Sequence, residues 1–196
     1  MTRQEILETA AQIFSEKGFH AASMQDIAEA VQLQKASLYH HVSSKQEILL
    51  ELLDQALDLV TERLTEVIGQ PLPPPDKLRL AIRTFLQILA DHKPLSAVLL
   101  FEYRSLEPEY HSRHLPRRDR FEQIWRDLIQ EGKEAGVFNS AHPALTARAL
   151  LGVMNWTITW YHPEGALTIV EIADQFADLF LDGLMVRQIL RIKTIL

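Results

Sequence analysis

The segment from Ser23 to Glu47 constrains the fold of this 196-residue chain more than any other part. After Ser23, four apolar residues recur at helical spacing, and Asp26 stands where the acidic partner of a capping box belongs. A short second helix follows, with Leu33 and Leu38 as its apolar anchors. A second capping box ends at Glu47 and starts a third helix. The pattern predicts two short helices joined by a tight turn and followed by a third helix.

The face of the second helix that lies opposite its apolar anchors carries short, polar and cationic side chains. Such a face fits the major groove of DNA, so the layout predicts a helix-turn-helix DNA-binding motif. At the start of the third helix, backbone N–H groups and the Lys45 ammonium can share one phosphate. The predicted DNA-binding residues are Ser23, Gln25, Gln34, Lys35, Ala36, Ser37, Tyr39, His40 and Lys45.

Over about residues 3 to 55 the chain resembles the TetR family of one-component transcriptional repressors. The shared features are a helix before the motif, the pair Leu38-Tyr39, and the element Ser44-Lys45 at the start of a long connecting helix. The resemblance implies a homodimer that binds a palindromic double-stranded DNA operator, and a C-terminal domain that binds a small-molecule effector.

Two residues depart from the family pattern. Gln32 stands where the family usually places Gly in the turn, and Gln34 replaces the usual Ser or Thr at the start of the recognition helix. The turn is therefore predicted to hold Gln32 at positive φ, at a cost of about 1 kcal/mol. Gln is also a poor N-cap. Because Gln34, Lys35 and Ala36 occupy base-reading positions, the operator sequence does not follow from the resemblance.

Composition limits the chemistry that the chain can perform. Cysteine is absent, which excludes disulfides, thiolate metal sites and cysteine nucleophiles and fits a cytoplasmic location. The longest uncharged stretch, residues 149–163, is too short and too polar to span a bilayer, and the N-terminus lacks a signal-peptide pattern, so we expect a soluble protein without membrane contact. The net charge of −6 opposes DNA affinity, so binding must rely on a local arrangement of groups and on two subunits.

Helical periodicity along the chain predicts an all-α fold. Beyond the motif, helices are expected at about residues 3–17, 45–68, 75–91, 94–105, 116–135, 143–161 and 168–191. A cluster of prolines at residues 71–75 stops the long helix that begins at Lys45. We predict a helix-turn-helix DNA-binding domain at residues 1–47 and a helical effector-binding and dimerisation domain at residues 48–196.

The last two predicted helices are apolar on more than one side, which indicates two packing partners for each. Gly152, Ala173, Ala177 and Gly183 would permit close approach of a neighbouring helix. We therefore expect the homodimer to form through this pair of helices. The alternative is that both helices are buried within one subunit.

No catalytic constellation, cofactor motif or metal site is predicted, and an enzyme is not expected. His111 and His114 have a loop-like spacing without further ligands, which favours a solvated loop over a metal site. Aromatic residues of the second half form either core or an effector pocket, beside a segment rich in arginine that suits phosphate. The predicted ligand-binding residues are Phe85, Leu89, Phe101, Arg104, Arg117, Arg120, Phe121, Trp125 and Trp156.

Three segments of the second half add a weaker resemblance: FEYRSLEPEY, EGKEAGVF and ALLGVMNWTITWYHPEGALTIVEIA. They are similar to the ligand domains of TetR-family regulators of fatty-acid and related acid degradation, which sense acyl-CoA thioesters. This implies an acyl group in the apolar cavity and CoA phosphates near the arginines. Two alternatives stay open: a repressor that senses a neutral lipophilic compound, and a helical interaction module that binds no DNA.

Overall fold

The computed structural model describes residues 2–185, and these residues form the all-α fold predicted from periodicity. An isolated bridge between Phe138 and Met185 is the one β-type pairing in this part of the chain. The α-helices are α1 (Arg3–Lys17), α2 (Met24–Ala30), α3 (Lys35–Leu38), α4 (Lys45–Ile68), α5 (Pro74–Asp91), α6 (Lys93–Ala97), α7 (Pro108–Glu134), α8 (Pro143–Trp160) and α9 (Ile169–Leu184).

Helices α1 to α3 pack around a small apolar core with the start of α4. Leu38 anchors α3 and is fully buried, while Phe14 and Phe19 meet edge to face with ring centroids 5.2 Å apart. A capping box at Thr2 starts α1, and Gly18 ends it with φ 78°, a conformation that favours glycine. The caps therefore fix both ends of α1 at the residues predicted from the sequence.

Helix α4 joins this N-terminal unit to the rest of the protein without interruption. Ser44 caps it by accepting a hydrogen bond from the Glu47 backbone N–H at 3.0 Å. Its apolar side is buried along its whole length, from Ile48 to Val67, and it packs against α5 and α7. Both the start at Lys45 and the end at Ile68 agree with the sequence prediction.

The chain between α5 and α7 differs from the single helix predicted at residues 94–105. After α6, a π-helical segment (Val98–Glu102) and a 3₁₀ segment (Tyr103–Ser105) carry the chain to α7. Helix α7 then begins at Pro108 rather than at Pro116, because Pro108 also fits the first turn of a helix. Pro116 lies inside α7 and is exposed, so its missing N–H and its ring are accommodated on the solvent side.

Helices α8 and α9 complete the C-terminal part of the described structure, where α8 packs against α7 and α9 against α5. Helix α9 packs on α5, where Arg83 is paired with Asp174 and Arg79 with Asp178. A capping box at Thr168 starts α9, and the helix ends at Leu184; the predicted end near residue 191 lies outside the described residues. None of the helices in residues 2–185 is long and apolar enough to cross a membrane.

Candidate DNA-binding surface and effector cavity

The start of α2 is held by a network centred on Asp26. Its carboxylate accepts hydrogen bonds from the Ser23 backbone N–H at 2.7 Å and from the Lys17 ammonium at 2.7 Å, while Ser23 Oγ accepts from the Asp26 N–H at 3.1 Å. Lys17 first, and then Ser23, lower the pKa of the Asp26 carboxyl well below its usual range. The network therefore ties the start of α2 to the end of α1.

The turn between α2 and α3 has the backbone conformation predicted for it. Gln32 has φ 55° and is the one non-glycine residue with positive φ among residues 2–185. The Leu33 N–H donates to the Ala28 carbonyl oxygen at 2.8 Å, which closes the turn. Gln34 provides no side-chain hydrogen bond to α3, in agreement with its weakness as an N-cap.

Most of the predicted DNA-binding residues lie on one exposed surface. Gln34, Lys35, Ala36 and His40 are exposed around α3, and Tyr39 is 46% exposed. Ser23 and Gln25 are exposed on α2, whereas Ser37 and Lys45 are partly buried.

Lys35 is the cation on this surface for which the described residues, 2–185, show no charged or hydrogen-bonded partner. The other three cationic side chains of residues 2–47 are engaged: Arg3 with Glu51 and the His41 carbonyl, Lys17 with Asp26, and Lys45 with backbone oxygens. A surface with one unengaged cation gives few ionic contacts from a single subunit.

Lys45 connects the first turn of α4 to the loop between α1 and α2. Its ammonium donates to the carbonyl oxygens of Phe19 at 2.8 Å and Ala22 at 2.7 Å, and it lies 4.2 Å from the centroid of the Phe19 ring. An ammonium has three donors, so one remains after these two hydrogen bonds. Lys45 therefore has a structural contact in addition to any contact with phosphate.

A cavity of about 340 Å³ lies between α4, α5, the π-helical segment, α7 and α8. Phe85 and Phe121 are stacked in it with centroids 5.7 Å apart, and Phe85 meets the ring of buried Trp125 edge to face at 5.8 Å. This volume and aromatic lining are typical of small-molecule sites. The cavity is lined by Leu57, Phe85, Leu99, Leu100, Tyr103, His114, Arg118, Phe121, Glu122, Leu151 and Asn155.

Two of the cavity residues place polar atoms without partners in a buried position. His114 is only 2% exposed; its Nδ1 is hydrogen-bonded to Asp54 Oδ1 at 2.9 Å, while its Nε2 has no hydrogen-bond partner within the described residues. Asn155 Oδ1 is also buried and unpartnered. Among residues 2–185, no group of three or more His, Asp or Glu could hold a metal ion.

Glu122 places a carboxylate at the cavity, where burial opposes its ionisation. Hydrogen bonds from Arg126 and from Arg148, the latter at 2.8 Å, outweigh the burial and lower the pKa of Glu122. The charge of Glu122 is therefore balanced by protein cations at its own position.

Arginines surround the Tyr103 side of the cavity. The guanidinium carbons of Arg104 and Arg118 lie 5.5 Å and 5.6 Å from the centroid of the Tyr103 ring, and the Arg120 side chain is exposed on α7. Arg117 is instead paired with Asp54 and Asp58 on α4. Arg104 and Arg118 therefore lie where they can contact an anionic group outside the cavity.

The structure brings together some of the predicted ligand-binding residues and separates others. Phe85 and Phe121 line the cavity and Trp125 packs behind them, whereas Phe101 is 54% exposed and Trp156 65% exposed, away from the lining. Leu89 borders a separate cavity of only about 20 Å³ between α5 and α8.

His114 and Asn155 are the polar lining residues that the sequence reasoning did not select. The relevant signal was the spacing of residues 114, 118, 121 and 125, which lie on one helix face once α7 starts at Pro108.

Comparison with known proteins agrees with this architecture. Residues 6–52 match the model of the bacterial regulatory proteins of the tetR family, and residues 71–184 match the tetracyclin repressor-like C-terminal domain. The chain belongs to the TetR family of transcriptional regulators. In this family the first match contains the helix-turn-helix DNA-binding unit, which here is α2 and α3, and the second contains the ligand-binding domain.

Three solved structures resemble most of the chain. PfmR from Thermus thermophilus is 37% identical with a TM-score of 0.83, over 90% of this chain and 97% of that chain. The ketosteroid transcriptional regulator KstR2 of Mycobacterium tuberculosis is 28% identical with a TM-score of 0.85, over 94% and 95%. AibR in complex with isovaleryl coenzyme A and operator DNA is 27% identical with a TM-score of 0.84, over 90% and 96%.

Proposed function

We propose that this TetR-family regulator is a repressor that binds a palindromic operator as a homodimer and responds to an acyl-CoA thioester. The observation that carries the proposal is the combination of an apolar, aromatic cavity with two arginines, Arg104 and Arg118, at its Tyr103 side. We place the DNA-binding function in residues 1–47 and the effector and dimerisation functions in residues 48–196.

The size of the cavity favours an acyl group together with the adjoining end of the pantetheine arm, with the nucleotide of CoA outside. About 340 Å³ is at the lower end of the range for ligand pockets, which is too small for a whole CoA thioester. Burial of each CH₂ of the acyl group contributes roughly 0.8 kcal/mol. Guanidinium groups suit phosphate oxygens, so the CoA phosphates would be held by the arginines around Tyr103. The related AibR regulator binds isovaleryl coenzyme A, which supports this ligand class.

Isothermal titration calorimetry with isovaleryl-CoA, isovalerate and CoA alone tests the effector. We expect the thioester to bind much more tightly than either fragment, and affinity to rise with acyl length until the cavity is full. Arg104→Ala or Arg118→Ala should weaken binding of the thioester. Arg63→Ala is the matched control, since Arg63 pairs only with Glu66 on α4 and does not line this cavity. Absence of heat from every acyl-CoA would refute this part of the proposal.

A neutral lipophilic effector is the second candidate. It is favoured by Arg117, whose charge is already balanced by Asp54 and Asp58 and so is not offered to a ligand. KstR2, one of the similar regulators, is a ketosteroid regulator. Equal affinity for a free acid and its CoA thioester would favour this candidate over the acyl-CoA.

The proposed homodimer rests on the outer face of α8 and α9. Trp156 and Leu179 are 65% and 66% exposed, and Val153 and Trp160 extend the apolar surface on α8. Gly152 and Gly183 have open space around them, so a partner helix could approach closely, whereas Ala173 and Ala177 are buried within the subunit. A second copy of the chain can cover this surface by the same face, as an isologous interface requires.

Sedimentation velocity tests the dimer directly. Trp156→Asp should shift the protein towards monomer, because a charge would be buried without a partner in the interface. Phe101→Asp is the matched control, since Phe101 is similarly exposed but lies in the π-helical segment. A wild-type protein that sediments as a monomer at micromolar concentration would refute the proposed interface.

Selection from a random pool of double-stranded oligonucleotides tests the DNA-binding proposal. We expect enrichment of an inverted repeat and a binding constant that falls with salt. Selection without an inverted repeat, by a protein that is folded and dimeric, would favour a helical interaction module instead.

A further inference from the structure

Two unpartnered acceptor atoms in the cavity restrict the chemistry of the effector. His114 Nε2 and Asn155 Oδ1 are both buried without hydrogen-bond partners, and His114 is 2% exposed. Buried polar atoms without partners destabilise a protein, so each is expected to meet a partner such as a water molecule or a ligand. The two residues come from different helices, α7 and α8, and line the same cavity.

The hydrogen bond of His114 to α4 determines which role its second nitrogen takes. Asp54 pairs with Arg117 through Oδ2, so it is a carboxylate that accepts the Nδ1–H of His114 through Oδ1. In the neutral ring with a proton on Nδ1, Nε2 carries a lone pair and can only accept. Asn155 Oδ1 is an acceptor as well. With His114 in this neutral tautomer, both atoms therefore require a donor.

We propose that the effector carries an N–H or O–H donor in its buried part and donates it to His114 Nε2, with Asn155 as a second acceptor. The inference rests on the proposed function, because it takes this cavity as the effector site. Amide N–H groups of the pantetheine arm and hydroxyl groups of a lipophilic alcohol both have the required chemistry. A purely hydrocarbon occupant would leave both acceptors unpaired.

The same contact places the effector one side chain away from α4. Asp54 lies on α4, where it is hydrogen-bonded to His114 and forms an ion pair with Arg117, both of α7. A donor that binds Nε2 would therefore fix the His114 ring, and through it the position of α4 relative to α7. His114 would act as both a ligand-binding residue and the connection between the cavity and the helix that leads to the DNA-binding unit.

Paired ligands that differ only in the donor test the inference by calorimetry. The first pair is the isovaleryl thioester of N-acetylcysteamine and its N-methyl amide analogue; the second is octan-1-ol and methyl octyl ether. In at least one pair the donor-bearing member should bind the wild-type dimer at least about tenfold more tightly, since sites built for hydrogen bonding reject analogues that lack the donor. In His114→Leu the two members should bind within about twofold of each other.

The outcomes separate this inference from the proposed effector class. Discrimination only in the alcohol–ether pair, with no binding of isovaleryl-CoA, would refute the acyl-CoA proposal and support the donor requirement. Equal affinities within both pairs, or discrimination that survives in His114→Leu, would overturn the donor requirement even if isovaleryl-CoA binds.

A second variant tests the inference without any ligand. Asn155→Leu removes an unpartnered acceptor at similar volume, so the melting temperature of the ligand-free protein should rise by about 2 to 4 °C. Asn139→Leu, at an exposed position, is the control and should change it little. A fall in melting temperature for Asn155→Leu would show that Asn155 supports the fold and would refute its role as an acceptor for the effector.

Discussion

Replacement of Lys45 by Ala separates the contributions of one side chain to stability and to DNA binding. The ammonium donates to two carbonyl oxygens of the α1–α2 loop and lies over the Phe19 ring. Hydrogen bonds from charged groups contribute about 1.5–3 kcal/mol each when buried, and a cation–π contact about 0.5–1 kcal/mol when exposed. Lys45 is only partly buried, so competition with water reduces the sum to about 2 kcal/mol.

A loss of this size should lower the melting temperature by about 4 to 8 °C for a chain of this length. Loss of one phosphate contact should also reduce the slope of log K against log salt by about 0.9 in an anisotropy titration with operator DNA. Lys35→Ala is the control, because Lys35 has no partner within the described residues. This variant should melt at the same temperature as the wild type, but its preference for operator bases should change. Unchanged stability of Lys45→Ala would show that the loop contacts do not contribute; an unchanged slope would show that Lys45 does not contact phosphate.

Three further perturbations test the local structure. Gln32→Gly should leave operator binding intact and stability nearly unchanged by thermal denaturation, because relief of about 1 kcal/mol of strain opposes about 0.5–1 kcal/mol of added chain entropy; a loss of several kcal/mol would contradict this. The pKa of Asp26 is lowered in the folded state, so the ionised carboxylate stabilises the fold above the unfolded pKa of about 3.9, and this stabilisation is lost as pH falls. Asp26→Asn should therefore lower the melting temperature at pH 7 and reduce the further fall in melting temperature on acidification. Gly132→Ala should lower the free energy of unfolding, measured in urea, by about 1–3 kcal/mol, since the added Cβ would lie 2.0 Å from the Phe138 ring. Gly152 has open space around it, so Gly152→Ala should leave stability unchanged or raise it slightly, unless dimerisation needs that space.

The DNA-binding unit could be predicted closely because its signals are local. Capping at Ser23 and Ser44, the glycine that ends α1 and the strained turn at Gln32 each depend on residues within a few positions of one another. Local hydrogen bonds and backbone conformations of this kind follow from residue type. The hydrogen bonds from Lys45 to the Phe19 and Ala22 carbonyls could not be predicted from local signals. Lys45 is 26 positions from Phe19 and 23 positions from Ala22 in the sequence.

The effector cavity was harder to predict because proline is ambiguous at a helix start. Both Pro108 and Pro116 are compatible with a first turn, and a helix that starts at Pro116 places His114 in a loop instead of on the buried face of α7. Exposure of Trp156 also depends on tertiary packing: α8 is apolar on two sides, and periodicity alone does not show which side faces the cavity.

In the proposed homodimer, the uninterrupted helix α4 would convert small movements at Asp54 into changes in the separation of the two recognition helices. Lys45 lies nine residues from Asp54, which at 1.5 Å per residue is a lever arm of about 14 Å. Tilting that arm by about 10° displaces its N-terminal end by about 2.4 Å, and opposite tilts in two subunits would change the separation of their recognition helices by about 5 Å. Half-sites one turn of DNA apart are about 34–36 Å from centre to centre, so such a change exceeds the rise of a base pair and would break the register of one subunit while the other stays bound.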